Sequence, residues 1–200
     1  MTLVGFKRAT IGILGPDGAI LPEKKWVIEG KTDGGATSSA EITGLSKEPT
    51  KVYGSDVLYY ISQKGTGDVS INLGVLDLPE ECNDAILGYK AGTTAGVSFV
   101  GEDTEPPTCA LMLESKDLDG TVVMLAFFKG KFSRDGITLG TLTNEANSPE
   151  AEAYVFAAMA DDKEGESKGQ TLGKFIGKDD TTAEAFTALV FPDPKAQPQP

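Results

Sequence analysis

Apolar residues recur at every second position along much of this chain. Between positions 68 and 78, Val69, Ile71, Leu73 and Val75 alternate with Ser70, Asn72 and Gly74. That period of two marks a strand with one buried face. Residues 3–14 predict a long first strand, ended by Gly-Pro-Asp-Gly at 15–18, where proline presets one dihedral and glycine accepts a left-handed one. Further strands are predicted at 26–28, near 40–46, at 57–63, 96–101, 107–115, 121–133, 137–146, 151–161 and 171–177, with a last one at 186–191. The stretch 181–192 also reads as a helical turn, and the strand is the preferred assignment. Residues 64–67 join the strands at 57–63 and 68–78, and Asp119-Gly120 predicts a hairpin turn. Residues 29–39 predict a mobile polar loop, 161–170 a loose one, and 193–200 a flexible tail.

One segment breaks the pattern. In LDLPEECNDAILGYK, Leu78, Cys82, Ala85 and Ile86 share one face at helical spacing. Asp77 and Glu80 stand three apart as in a capping box, Pro79 suits a first turn, and Gly88 suits the left-handed stop. A helix over about residues 78–87 is too short to persist alone, so it is expected to lie apolar face down on a sheet. About ten short strands and one helix predict a mainly β chain, a β-sandwich or barrel, in a single domain over residues 1–192.

Composition sharpens the picture. Thirty acidic against 18 basic residues give a net charge of −12. Affinity for nucleic acid comes largely from cations that release counterions from phosphates, so a DNA-reading role is excluded while contact with DNA that must not stick is allowed. Cys82 and Cys109 lie far apart without metal-type spacing and read as small buried hydrophobes in a reducing compartment. Lys7 and Arg8 interrupt the N-terminal apolar run, which therefore does not read as a signal peptide, and no run reaches membrane-spanning length.

The chain contains no histidine, which removes Ser-His and Cys-His nucleophile pairs and most catalytic zinc sites. GKFIGKDD, at 173–180, is one residue short of a phosphate loop and has Asp179 where a magnesium-binding hydroxyl belongs. Asp-Leu-Asp-Gly at 117–120 lacks the later ligands of a calcium loop. Asp161, Asp162, Glu164 and Glu166 read as a solvated acidic loop. No catalytic, cofactor-binding or metal-binding residue is singled out, and no enzyme is expected. What remains are open strand edges and polar loops on a β body, the parts from which identical subunits extend one sheet across an interface.

Three blocks, LDLPEECNDAILGYK, PPTCALMLES…DGTVVMLAFFKGKFS and TLTNEANSPEAEAYVFAAMA, occur in that order. Together they resemble the major tail proteins of long-tailed, non-contractile phages of Gram-positive hosts, over about residues 3–160. The resemblance rests on the order and character of the blocks. It implies a β-sandwich or barrel with a flanking helix, subunits in hexameric rings, and rings stacked into a tube that conducts double-stranded DNA to the host. It also implies tape-measure and terminator proteins as partners, and a place in the virion after synthesis in the host cytoplasm. The loop at 29–39 would serve as a stacking arm, and an acidic lumen would let DNA slide. The alternative is a β-sandwich decoration module that binds carbohydrate or protein on a virion surface. Such modules display aromatics, whereas Trp26, the only tryptophan, sits in an apolar triplet that suits a core or an interface.

Overall fold

The structure, a computed structural model, describes residues 2–31, 34–141 and 150–194. The strands are β1 (Leu3–Leu14), β2 (Ile20–Ile28), β3 (Ala36–Thr43), β4 (Thr50–Gly54), β5 (Val57–Ser62) and β6 (Ser70–Asp77), followed by helix α1 (Glu80–Leu87). Then come β7 (Lys90–Ala91), β8 (Ser98–Phe99), β9 (Cys109–Asp117), β10 (Val122–Ser133), β11 (Glu152–Met159), β12 (Leu172–Gly177) and helix α2 (Asp180–Val190). The large antiparallel sheet runs β2-β1-β9-β10-β11-β6-β3, with β12 also on β10, and β4-β5 and β7-β8 form two separate ribbons.

Strand β10 is the pivot of a β-sandwich. Its first half pairs with β9 on one edge and β12 on the other. Past an irregularity between Phe127 and Gly130, its second half pairs with β11 instead. A strand that bends at such a point passes from one layer to the next. Both faces of β9 and β10 are covered, which is why their sequences read as nearly continuous apolar runs. Cys109, Leu111, Leu113, Phe127 and Phe132 enter the main core with Ile71, Leu73, Tyr154 and Phe156. Ala110, Met112, Met124, Ala126 and Phe128 enter a second core with Val190 and Phe191.

Helix α1 lies over the main core, burying Cys82, Ile86 and Leu87. Its N-cap is Pro79, with no side-chain capping bond, and Asp77 belongs to β6. The expected capping box is therefore absent. The strand needs Asp77 for pairing with Ala36, and the first-turn charges Glu80 and Glu81 stabilise the helix start through the dipole instead. Gly88 ends the helix at φ 71 as expected.

Two helices flank the sheets, where one was expected. The stretch assigned to a last strand at 186–191 is helix α2. Asp179 accepts a bond from the Thr182 amide at 2.9 Å, so a capped helix start stands where a phosphate loop was weighed. Ala183, Phe186 and Val190 pack on the second core, a helical spacing that outweighs the β propensity of the threonines and Phe186. The chain after α2 returns to β2, with the Ile20 amide bonded to the Pro192 carbonyl at 2.9 Å.

Other differences are local. The polar loop narrows to residues 29–35, because β3 begins at Ala36; residues 32 and 33 of it lie outside the described residues. The strand near 40–46 is β3, ending at Thr43. Residues 161–170 are tied down: the Asp161 amide bonds Gln170, the Gly169 amide bonds the Asp161 carbonyl, and the Asp161 and Ser167 side chains are buried. Residues 137–141 form no strand, and the rest of that expected strand, with the turn at 147–149, lies outside the described residues. So does the expected tail from residue 195 onward.

Candidate assembly surface

The sequence features weighed as chemistry take structural places in the fold. Gly173 is a packing residue: a Cβ there would lie 2.7 Å from the Phe128 ring and 3.0 Å from that of Phe186. The absent side chain lets α2 close on the sheet. Asp117–Gly120 is a hairpin turn in which Gly120 takes φ 82 and the Asp119 carboxylate accepts the Thr121 amide at 2.9 Å. Among the described residues, no group of three or more His, Cys, Asp or Glu could hold a metal ion. Cys82 and Cys109 are free buried thiols, each pushed up to about 12 by burial, so they stay protonated and unreactive. Trp26 is half-buried against the main core, with Lys24 Nζ 5.6 Å from its ring centroid.

Buried charge serves structure. Glu114, 2% exposed, accepts Lys7 Nζ at 2.9 Å and Arg8 at 2.6 Å. Strand β1 gains extra residues against β9 between Val4 and Arg8, and this irregularity brings both cations to one carboxylate. A hollow of about 320 Å³ between the first turn and the loop at 161–170 holds Asp161 and Lys163, whose charged atoms stand 3.8 Å apart. Burial lowers the Lys163 amine from its ordinary value. The pair of opposite charges faces across the hollow and helps to fasten the loop.

The surface is unusual at β4-β5. The two strands pair from Thr50↔Ser62 to Gly54↔Val57, turning through Ser55 and Asp56, both at positive φ (51 and 65), as a type I′ hairpin turn requires. Val52 opposes Tyr60 and Tyr53 opposes Leu58, with Tyr59 as the extra residue of a bulge between them, so apolar side chains stand on both faces. Seven large side chains, Val52, Tyr53, Val57, Leu58, Tyr59, Tyr60 and Ile61, are 42–82% exposed. The ribbon is held at its base by Gln63 Nε2 on the Lys47 carbonyl (2.9 Å) and by Gly67 on Gly44 (2.9 Å). An isolated two-stranded ribbon is marginal in water, and a contiguous apolar surface of several hundred Å² marks an interaction site.

The expectation joined 57–63 directly to 68–78 as neighbouring strands and overlooked β4. In the structure β5 pairs with β4, while β6 lies between β11 and β3. The available signal was the run VLYYI: apolar on both faces, it fits no strand with a single buried face.

Two smaller apolar areas accompany the ribbon. One is the β7-β8 segment, with Val97, Phe99 and Val100 exposed beside α1. The other gathers Leu3, Val4, Leu118 and Ile176 near the ends of β1, β9 and β12. A projecting apolar ribbon of this size is a surface suited to meeting other proteins.

A family profile described as phage tail tube protein matches residues 1–194. The chain belongs to the phage tail tube protein family. Comparison with curated proteins returns no match. Membership makes this tube protein a structural component of the virion tail, one that oligomerises and assembles with other tail proteins. The mainly β sandwich agrees with the fold expected from the resemblance. Among the described residues, no helix is long and apolar enough to cross a membrane.

Proposed function

We propose that this tail tube protein, made in the host cytoplasm as one domain over residues 1–192, closes into hexameric rings. The rings stack into the tube of a long, non-contractile tail, with tape-measure and terminator proteins as partners, and double-stranded DNA passes through the lumen. The observation that carries the reading is the β4-β5 ribbon, whose seven exposed large apolar side chains are left without cover on the single subunit. Burying them against an identical neighbour removes apolar area from water at about 25 cal/mol per Å² and completes the sheets by edge addition. The net charge of −12 supports the conduit role, since carboxylates along the lumen repel phosphates and a basic wall would hold them.

Electron microscopy of the purified protein, alone and with its tail-tip partners, tests this. Rings of six subunits and tubes of stacked rings are the expected result. A protein that stays monomeric at high concentration with those partners present overturns the proposal.

A further inference from the structure

The ribbon differs from the rest of the molecule in charge as well as polarity. Residues 47–64 carry Lys47, Lys51 and Lys64 against Glu48 and Asp56, a balance of 3 − 2 = +1 on a chain of net charge −12. Among the described residues, no carboxylate lies within ion-pair distance of these three lysines. The ribbon is thus an apolar peg with a basic rim. Its natural counterpart is an apolar surface with an acidic rim.

Among the described residues, one surface combines these features. Val97, Phe99 and Val100 are 41–65% exposed on and beside β8. Two adjoining hollows flank them, of about 260 and 410 Å³, sharing Ala91 and Gly92. Glu80, Glu81 and Asp84 of α1 line the first, and Asp103 the second, next to exposed Glu102. Lys90 is the cation at this surface, and Lys24 reaches Glu81 at 3.1 Å; the acids still outnumber them. The competing apolar area, around Leu3, Val4, Leu118 and Ile176, is mixed in charge: Asp117 opposes Leu3, Lys116 opposes Val4, and Lys178 reaches Asp119 at 3.5 Å. A basic rim gains less there.

We infer that the β4-β5 ribbon of one copy docks on the α1/β7-β8 surface of a second copy, with Lys47, Lys51 and Lys64 facing Glu80, Glu102 and Asp103. This rests on the tube reading and names the contact through which the tube grows. The contact is heterologous: each subunit gives a ribbon and receives one, so addition continues until a ring closes or a stack ends. Facing charges also disfavour ribbon-to-ribbon pairing, since like-charged rims repel.

A charge-swap experiment on the full chain tests it, with circular dichroism confirming that each variant folds. The ribbon variant K47E/K51E/K64E and the surface variant E80K/E102K/D103K are each expected to raise the critical concentration for assembly about tenfold at low salt. Both sets combined in one chain are expected to restore it. A chain with Tyr59→Cys and Phe99→Cys is expected to form disulfide-linked ladders once assembled, because Cys82 and Cys109 are buried. If the surface variant assembles like the wild type while the ribbon variant does not, this docking site is wrong and the tube reading stands. If wild-type protein with its tail-tip partners forms no rings or tubes, the tube reading itself fails.

Discussion

A few single residues carry much of what is decided at this scale. Glu114 holds Lys7 and Arg8 together across a β-irregularity. Replacing it with Ala removes both charge-assisted bonds while the half-exposed cations regain water, so the cost is about 1–3 kcal/mol, read as a lower urea midpoint with an unchanged slope. Gly173→Ala pushes a Cβ to 2.7 Å from Phe128 and costs about 1–3 kcal/mol by overpacking, with α2 loosened ahead of the rest. The thiols set an alkaline limit. Burial moves Cys82 and Cys109 from 9.0 to about 12, and chiefly burial moves Tyr154 from 10.0 to about 12. A folded value above the unfolded one gives stability that is complete below pH 9 and is lost as pH climbs towards 12. At the acid end the sign reverses. Asp119 is lowered from 3.8 to about 2, mainly by the Thr121 bonds, so its contribution holds above pH 3.8 and fades below. Stability measured by urea unfolding is expected to be flat through neutral pH and to fall above pH 9, and iodoacetamide is expected to label both thiols only after unfolding. Fast labelling of native protein contradicts this burial.

At the scale of elements, the ribbon turn offers a direct test. Ser55 and Asp56 hold positive φ without being glycine, at a strain of about 1 kcal/mol each. Asp56→Gly relieves part of it, because glycine suits the second position of such a turn. Slower hydrogen exchange of the ribbon amides and a lower critical concentration for assembly are the expected results; faster exchange contradicts the turn assignment. The same elements separate what is legible in a sequence from what is not. Strands β1, β6, β9 and β10 follow from alternation and apolar density, and α1 from its four-residue face and the stop at Gly88, which is built against the Glu105 carbonyl. Helix α2 is harder to read, because Thr181, Thr182, Phe186 and Thr187 favour strands locally. Only docking on Met112, Met124 and Phe128 selects the helix. Strand β5 matches the strand expected at 57–63, but β4 and its pairing escape for the opposite reason. Both strands expose their side chains, so no alternation against an internal core marks them. The resemblance implies a stacking arm at 29–39, and the exposed apolar surface at 50–62 is a separate feature.

For the whole molecule the controlling quantity is the charge balance. Thirty carboxylates face 18 Lys and Arg, and the isoelectric point is near 4.4. At neutral pH, a phosphate chain approaching any large part of such a surface meets repulsion that screening shortens to about 8–10 Å at physiological salt. A moving DNA therefore finds few sites where counterion release could hold it. Several of the cations are occupied: Lys129 binds Asp162 at 2.6 Å, Lys131 binds Glu105 at 2.9 Å and Arg134 binds Glu152 at 2.7 Å. Their carboxylates are the exposed partners, and each stands between an amine or guanidinium and an incoming phosphate. Lowering the pH removes that cover, because the carboxylates protonate while Lys and Arg keep their charge. Below pH 4.4 the net sign becomes positive. Duplex DNA mixed with assembled protein at low salt is accordingly expected to sediment alone at pH 7 and to sediment with the protein at about pH 4. Binding at pH 7 that weakens steeply with added salt would reveal a basic track along the tube and would remove the electrostatic basis for passage.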